Sequence, residues 1–313
     1  MTTPRELLER LEWYDNHRLE LILSCPRKAF YYLFYRGGLD NAVGPGAHFG
    51  SCVHEGLAVY YKLTQQGAED SKRRLAAMRA FARKYTELFP SGCIEKGKPC
   101  SKHTEDNGLT ILDDYFDRFQ ELDRYYRVIE PELGAIVKIE PRDGDPPHFQ
   151  EPFHYVVRMD IVLEHVRTGE WFVLETKTTG SGVDRRLKQL RTERQGTGYC
   201  YTLQELAPQR HVAGVIGNVL LVAPDKREAQ RDTFHKSRQD LDQWRRQTIE
   251  IVQGWRERVG RMLTCSLTEQ LGTFYQRTSA CTDYGLCSFY DLCWVGPTYQ
   301  LDRYQPRTWI PLE

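Results

Sequence analysis

No run of this chain approaches the ~18 consecutive apolar residues that cross a bilayer, so neither a membrane span nor a membrane partner is expected. The opening MTTPRELLERLEWYDNHRLE is charged and lacks an apolar secretory segment, which points to a cytoplasmic setting. Neither sign of charge is in excess: 43 Lys and Arg face 43 Asp and Glu, for a net charge of +0. That balance argues against coating nucleic acid by bulk charge but leaves room for a local basic groove beside an acidic site. No Gly-x-x-x-x-Gly-Lys-Ser/Thr phosphate loop occurs, so helicase chemistry is not expected here. The nine cysteines are odd in number and include no closely spaced Cys-x2–4-Cys pair. Without a secretory segment a disulfide framework is not expected, and ligation of a metal by a subset is the more informative option.

What is present is an ordinary globular composition, 40% hydrophobic and 27% charged over 313 residues, long enough to bury a sizeable core. The pattern predicts helices over 4–23, 24–37 (aromatic, with Cys25 near its start), 51–66, 68–88, 109–128, 183–206 and 236–263. Strands are predicted over 134–141, 153–166, 170–178 and 211–224, and loops over 37–50 and 90–108. From 274 the chain is an irregular cysteine-rich tail. The order describes a single α/β domain over 1–313: a mainly helical portion to 130, a sheet core over 131–225, and a helix and tail over 226–313. Two basic runs stand out. KRRLAAMRAFARK at 72–84 reads as a solvated helix face, while DRRLKQLRTER at 184–194 follows the acidic strands, where a phosphate backbone would need it.

The densest chemistry lies in HYVVRMDIVLEHVRTGEWFVLETKTTG, two strands joined by Arg167-Thr168-Gly169. Alternation along a strand puts Glu175 and Lys177 on one side and Thr176 on the other, and lets Asp160 sit opposite Glu175. Two carboxylates with a shared cation favour Mg²⁺ or Mn²⁺. A metal there would acidify a bound water and stabilise charge on a phosphate, with Lys177 orienting the water or neutralising the developing oxyanion. That combination suits phosphodiester hydrolysis. His54, in the first turns of a helix after a glycine loop and followed by Glu55, adds a nitrogen donor that shifts preference toward Mn²⁺. Gln195 and Tyr199, four apart on the following helix, share a face from which they can contact nucleic acid or brace the catalytic strand.

In order, Ser24-Cys25-Pro26-Arg27-Lys28, Gly50-x-x-x-His54-Glu55, Asp160, Glu175-x-Lys177, Gln195-x-x-x-Tyr199 and then Cys281, Cys287 and Cys293 span most of the chain. Together they resemble a RecB-like PD-(D/E)xK nuclease of the iron–sulfur branch, which includes the CRISPR-adaptation exonucleases, the AddB nuclease domain and many phage proteins. Met159 stands where the family name has proline. The resemblance implies a restriction-endonuclease-like core, a central mixed sheet flanked by helices, with the helical N-terminal part and the cysteine-rich tail as additions. It implies that His54, Asp160, Glu175 and the Thr176 carbonyl bind Mg²⁺ or Mn²⁺, that Lys177 is catalytic, and that Glu140 is a supporting acid. It also implies exonuclease action on single-stranded DNA ends in a bacterial or phage-infected cell, with a helicase or recombination partner. A DNA-binding scaffold subunit or a flap endonuclease are the alternatives. The intact Asp160, Glu175 and Lys177 speak against the scaffold.

By the same resemblance Cys25 joins Cys281, Cys287 and Cys293 as the fourth thiolate of a [4Fe–4S] cluster. Structural Zn²⁺ is the alternative, disfavoured because zinc sites usually include a close cysteine pair. The five other cysteines, Cys52, Cys93, Cys100, Cys200 and Cys265, are assigned no metal role.

Overall fold

The structure is a computed structural model and describes residues 11–35, 44–95, 97–265, 269, 271–282, 286–296 and 304. The start of the helix predicted over 4–23, the last two residues of the helix predicted over 24–37 and the first half of the loop predicted over 37–50 lie outside the described residues. The elements run β1 (Trp13–Asp15), α1 (Asn16–Ser24), α2 (Pro26–Phe30), a π-helical turn Tyr31–Tyr35, α3 (Pro45–Gln65) and α4 (Asp70–Leu88). There follow β2 (Ile94–Glu95), β3 (Lys98–Pro99), α5 (Glu105–Asp123), β4 (Tyr126–Ile139), β5 (Phe153–His165) and β6 (Trp171–Thr179). The chain continues through α6 (Val183–Thr192), α7 (Arg194–Leu206), β7 (Val212–Leu221), β8 (Ala229–His235), α8 (Arg238–Thr264) and α9 (Tyr290–Trp294). No helix among the described residues is long and apolar enough to cross a membrane.

Hydrogen bonding orders the sheet β1-β5-β6-β7-β8, with β4 also on β5. β6 runs parallel to β7, while β5 with β6 and β7 with β8 are antiparallel. This is the expected mixed sheet flanked by helices. Local chemistry explains several boundaries. Asp15 caps α1 by accepting from Arg18 N at 2.7 Å. Pro45 opens α3, where a missing N–H costs nothing. Thr104 caps α5 by accepting from Asn107 N, and Glu105 and Asp106 complement the dipole of its first turn.

Backbone contacts group the chain into two compact units. One comprises residues 43–134 and 158–241. Its main core joins α3, α4 and α5 (Phe49, Val53, Leu57, Phe81, Leu112, Phe116) to Ile161, Leu174, Ile216 and Leu220 of the strands. A smaller cluster on the opposite side of β7 joins Val183, Leu187 and Leu190 of α6 to Val219, Leu221 and Phe234. Alternation along β7 therefore feeds both layers, which is why the whole strand is buried and reads as a continuous apolar run.

The other unit comprises residues 1–42, 135–157 and 242–313. Here β1 pairs in parallel with the first part of β5, from Trp13↔His154 to Asp15↔Val156. Arg256 donates to the carbonyls of Leu11, Glu151 and Pro152, and buried Arg245 is paired with Asp145. The tail is fastened to the N-terminal helices: Arg27 donates to the carbonyls of Phe274 and Leu271, Phe30 stacks on Phe274, and Tyr31 OH donates to the Leu292 carbonyl.

Candidate active site

The β5–β6 ladder is paired from Glu164↔Trp171 to Ile161↔Leu174, so Asp160 and Glu175 occupy the next step beyond it. There Asp160 Oδ2 leaves off cross-strand pairing and accepts the Thr176 N–H at 2.7 Å. Helix α3 reaches this point because Gly50 has no side chain: a Cβ there would stand 3.1 Å from Thr178 Oγ1 of β6. One turn later His54 brings Nδ1 to 3.3 Å from Asp160 Oδ1. On the far side Lys177 Nζ is 2.5 Å from Glu175 Oε1. The structure brings His54, Asp160, Glu175, Thr176 and Lys177 together.

Burial sets the electrostatics. Glu175 is 2% exposed, and its Oε2 is buried with no hydrogen-bond partner among the described residues. Burial first, and then the Asp160 charge, push its carboxyl up to about 7. Burial also opposes the charge of Asp160, but the neighbouring His54 overcomes it and holds that acid below its usual range. Burial pulls His54 down, yet Asp160 carries its net shift upward, and Lys177 is raised by Glu175 and Asp160 against burial. A buried acid pair with one carboxylate oxygen unpartnered is short of positive charge. A divalent cation bound by hard oxygens and an imidazole fits that shortage.

Behind the site, Asn218 lies beside Thr176 on the parallel strand β7 and donates from Nδ2 to Thr176 Oγ1 at 3.0 Å and to Tyr115 OH at 3.2 Å. Tyr115 and Tyr61 share a hydrogen bond at 2.8 Å. The Arg231 guanidinium donates to both hydroxyls, pairs with Asp123 and lies 4.0 Å over the Phe119 ring. The sequence held a signal for this network that the pattern reading passed over, an asparagine inside the apolar run HVAGVIGNVLLVAP.

Gln195 and Tyr199 face each other on α7, with Gln195 Nε2 donating to Tyr199 OH. Glu193, at the start of that helix, is close enough to raise Lys177. Glu140 is exposed and its carboxylate is held by Lys138 at 2.7 Å. The acid whose charge acts together with Asp160 and His54 is Glu132, earlier on β4. Its own carboxyl is raised by burial and by Asp160, and its backbone is left-handed at φ 53. By surface area it is exposed, and no sequence signal sets it apart from the other acids of that strand.

The two basic runs separate as their neighbours dictate. On α4, Arg73 and Arg74 are tied to Asp70, Arg83 to Glu55 and Lys84 to Glu87, a solvated face. On α6, Arg186 pairs with Glu193 and Arg191 with Asp232, while Arg185 and Lys188 are exposed with no ion pair among the described residues.

In the other unit Cys25, Cys281, Cys287 and Cys293 line one cavity together with Arg27, Lys28 and aromatic residues. Arg277 N donates to Cys25 Sγ at 3.4 Å and Gln276 Nε2 to Cys293 Sγ at 3.0 Å. Four thiols in one apolar-walled cavity, two already accepting N–H groups, are a donor set that suits an iron–sulfur cluster.

The family model described as the PD-(D/E)XK nuclease superfamily matches residues 17–293. No curated protein matches the chain. A solved structure described as the crystal structure of SSO0001 covers 92% of this chain and 94% of its own, at 11% identity and a TM-score of 0.36.

Proposed function

This chain belongs to the PD-(D/E)XK nuclease superfamily, and on that premise we propose that it is a metal-dependent deoxyribonuclease acting as an exonuclease on single-stranded ends. His54, Asp160, Glu175 and the Thr176 carbonyl are the ligands proposed for Mg²⁺ or Mn²⁺. When bound, such an ion supplies an acidified water and charge stabilisation at the scissile phosphate. The chain's own groups do the rest. Lys177 Nζ donates toward the water or the developing oxyanion, and Glu175 Oε1 fixes where it points. Asn218 holds Thr176 in register so that its carbonyl keeps its direction. Arg185 and Lys188 of α6 offer unpaired charge to a phosphate backbone. Gln195 and Tyr199 act as one bonded unit supporting the strand or the substrate. Glu140 is retained as the supporting acid of the resemblance, and Glu132, whose carboxyl feels the Asp160 charge, is added to it.

The observation that carries this reading is the unpartnered, buried Oε2 of Glu175 beside Asp160, a pair that needs a cation. The preference for single-stranded ends, the cytoplasmic setting and a helicase or recombination partner rest on the resemblance to RecB-like nucleases. So does the [4Fe–4S] cluster on Cys25, Cys281, Cys287 and Cys293, supported by their shared cavity and N–H···S bonds. The test is degradation of end-labelled linear and covalently closed circular single-stranded DNA with Mn²⁺, Mg²⁺ or EDTA. We expect metal-dependent loss of the linear strand only. Cutting of circles would replace the exonuclease by an endonuclease, and metal-loaded protein inert on every DNA would replace the enzyme by a binding subunit.

A further inference from the structure

Away from the acids and from the tail, one cluster of ligating side chains among the described residues has no assigned task. Cys93, Cys100 and His103 are all buried, and one donor atom from each lies within 4.8 Å of the other two. The segment is organised to hold them there. Strands β2 and β3 pair through Ile94↔Pro99 and Glu95↔Lys98, and Cys100 N donates to the Cys93 carbonyl at 2.9 Å, so both cysteines close the same hairpin. Tyr85 OH donates to the His103 carbonyl at 2.9 Å and fixes the third residue. His103 is 7% exposed, and its Nδ1 is buried without a hydrogen-bond partner among the described residues. An imidazole nitrogen left dry costs free energy unless something occupies it. Glu95 stands exposed at the rim of this cluster, with Oε2 4.0 Å from Cys100 Sγ.

We propose that Cys93, Cys100, His103 and Glu95 form a structural zinc site that fastens the 93–103 segment to the first turns of α3. Two thiolates, an imidazole and a carboxylate are a closed zinc donor set, with ligands at ~2.0–2.3 Å from the ion; to adopt it the two sulfurs must be freed from each other and move apart, and Glu95 must turn inward to join the three clustered donors. The ring of His103 lies against Phe49 at 5.3 Å, and a Cβ on Gly46 would stand 3.7 Å from its Nε2. Both contacts are on the helix that carries His54, so the ion would stiffen the element that delivers a site residue. In the structure Cys93 and Cys100 are joined as a disulfide. A dithiol reductant supplies two electrons and two protons to give two thiols, and zinc then displaces both protons. The hairpin thus has a disulfide form and a zinc form. This assigns metal ligation to two cysteines whose spacing in the sequence suggested none.

The test uses full-length protein, reduced with a dithiol and then freed of it, alkylated with iodoacetamide with and without Zn²⁺ and mapped by peptide mass spectrometry. With free Zn²⁺ about a hundredfold above its Kd, alkylation of Cys93 and Cys100 is expected to slow about a hundredfold. EDTA should restore it. A Cys25→Ser variant should behave identically, which separates this site from the tail, and His103→Gln should lose the protection. Equal alkylation with and without zinc would overturn the proposal. So would zinc protection that survives His103→Gln, or a Cys93–Cys100 bond that resists the reductant.

Discussion

Moving the pH from 6 to 8 should change metal binding in a way the buried acid pair dictates. Glu175 is pushed from 4.5 up to about 7 by burial and by Asp160. A divalent ion on its free oxygen must displace that proton. From a value of about 7, binding releases about nine-tenths of a proton from Glu175 at pH 6 and about one-tenth at pH 8. His54, also raised, adds to the release at the acid end. Mn²⁺ affinity should therefore climb steeply below pH 7 and level off above it. The gap between 4.5 and about 7 corresponds to about 3 kcal/mol, at about 1.4 kcal/mol per pH unit. In the metal-free protein that same quantity is stability that Glu175 contributes below pH 4.5 and loses as pH rises to about 7, because the folded state holds the proton more tightly. Titration calorimetry in buffers of different ionisation enthalpy counts the protons directly. Release that is absent, or constant from pH 6 to 8, would refute the reasoning.

Three further outcomes follow from particular contacts. Asp123→Ala leaves the largely buried Arg231 without its carboxylate and should cost about 3–5 kcal/mol in urea unfolding, while also loosening the Tyr115–Asn218–Thr176 chain. Gly108→Ala puts a methyl 2.0 Å from the Phe81 ring and should lower stability by about 1–3 kcal/mol. Cys25→Ser should abolish the brown absorbance near ~400 nm expected of thiolate-ligated iron. A colourless wild-type protein carrying zinc at the tail would instead favour structural Zn²⁺.

The hairpin was legible because β5 and β6 are rich in β-branched and aromatic residues on either side of a glycine-ended turn, although their middles are buried on both faces and do not alternate. The single helix predicted over 183–206 divides at Glu193, whose backbone is extended at ψ 136; no glycine or proline marks that break. Strand β8, AQRDTFH, was missed because its polar composition hides a strand that exists by pairing with β7 from Gly214↔His235 to Leu220↔Ala229. β1 falls inside the helix predicted over 4–23, since three residues paired with His154–Val156 leave no periodicity to read. The loop predicted over 90–108 conceals β2 and β3, too short to show a pattern. Pro45 was a readable helix start, and α3 does begin there rather than at 51. At the site, the residues bearing unusual chemistry for their element were visible in the sequence. Glu132 was not, because only the three-dimensional path of β4 brings an acid of that strand to Asp160.

The central claim is that Lys177 and a metal held by Asp160, Glu175, His54 and Thr176 hydrolyse DNA. Its most direct test compares wild type with Lys177→Ala for hydrolysis of end-labelled single-stranded DNA at saturating Mn²⁺, with Mn²⁺ binding measured on both. The account predicts a rate lower by about 10²–10³ in the variant with Mn²⁺ still bound. An unchanged rate in metal-loaded Lys177→Ala would contradict it.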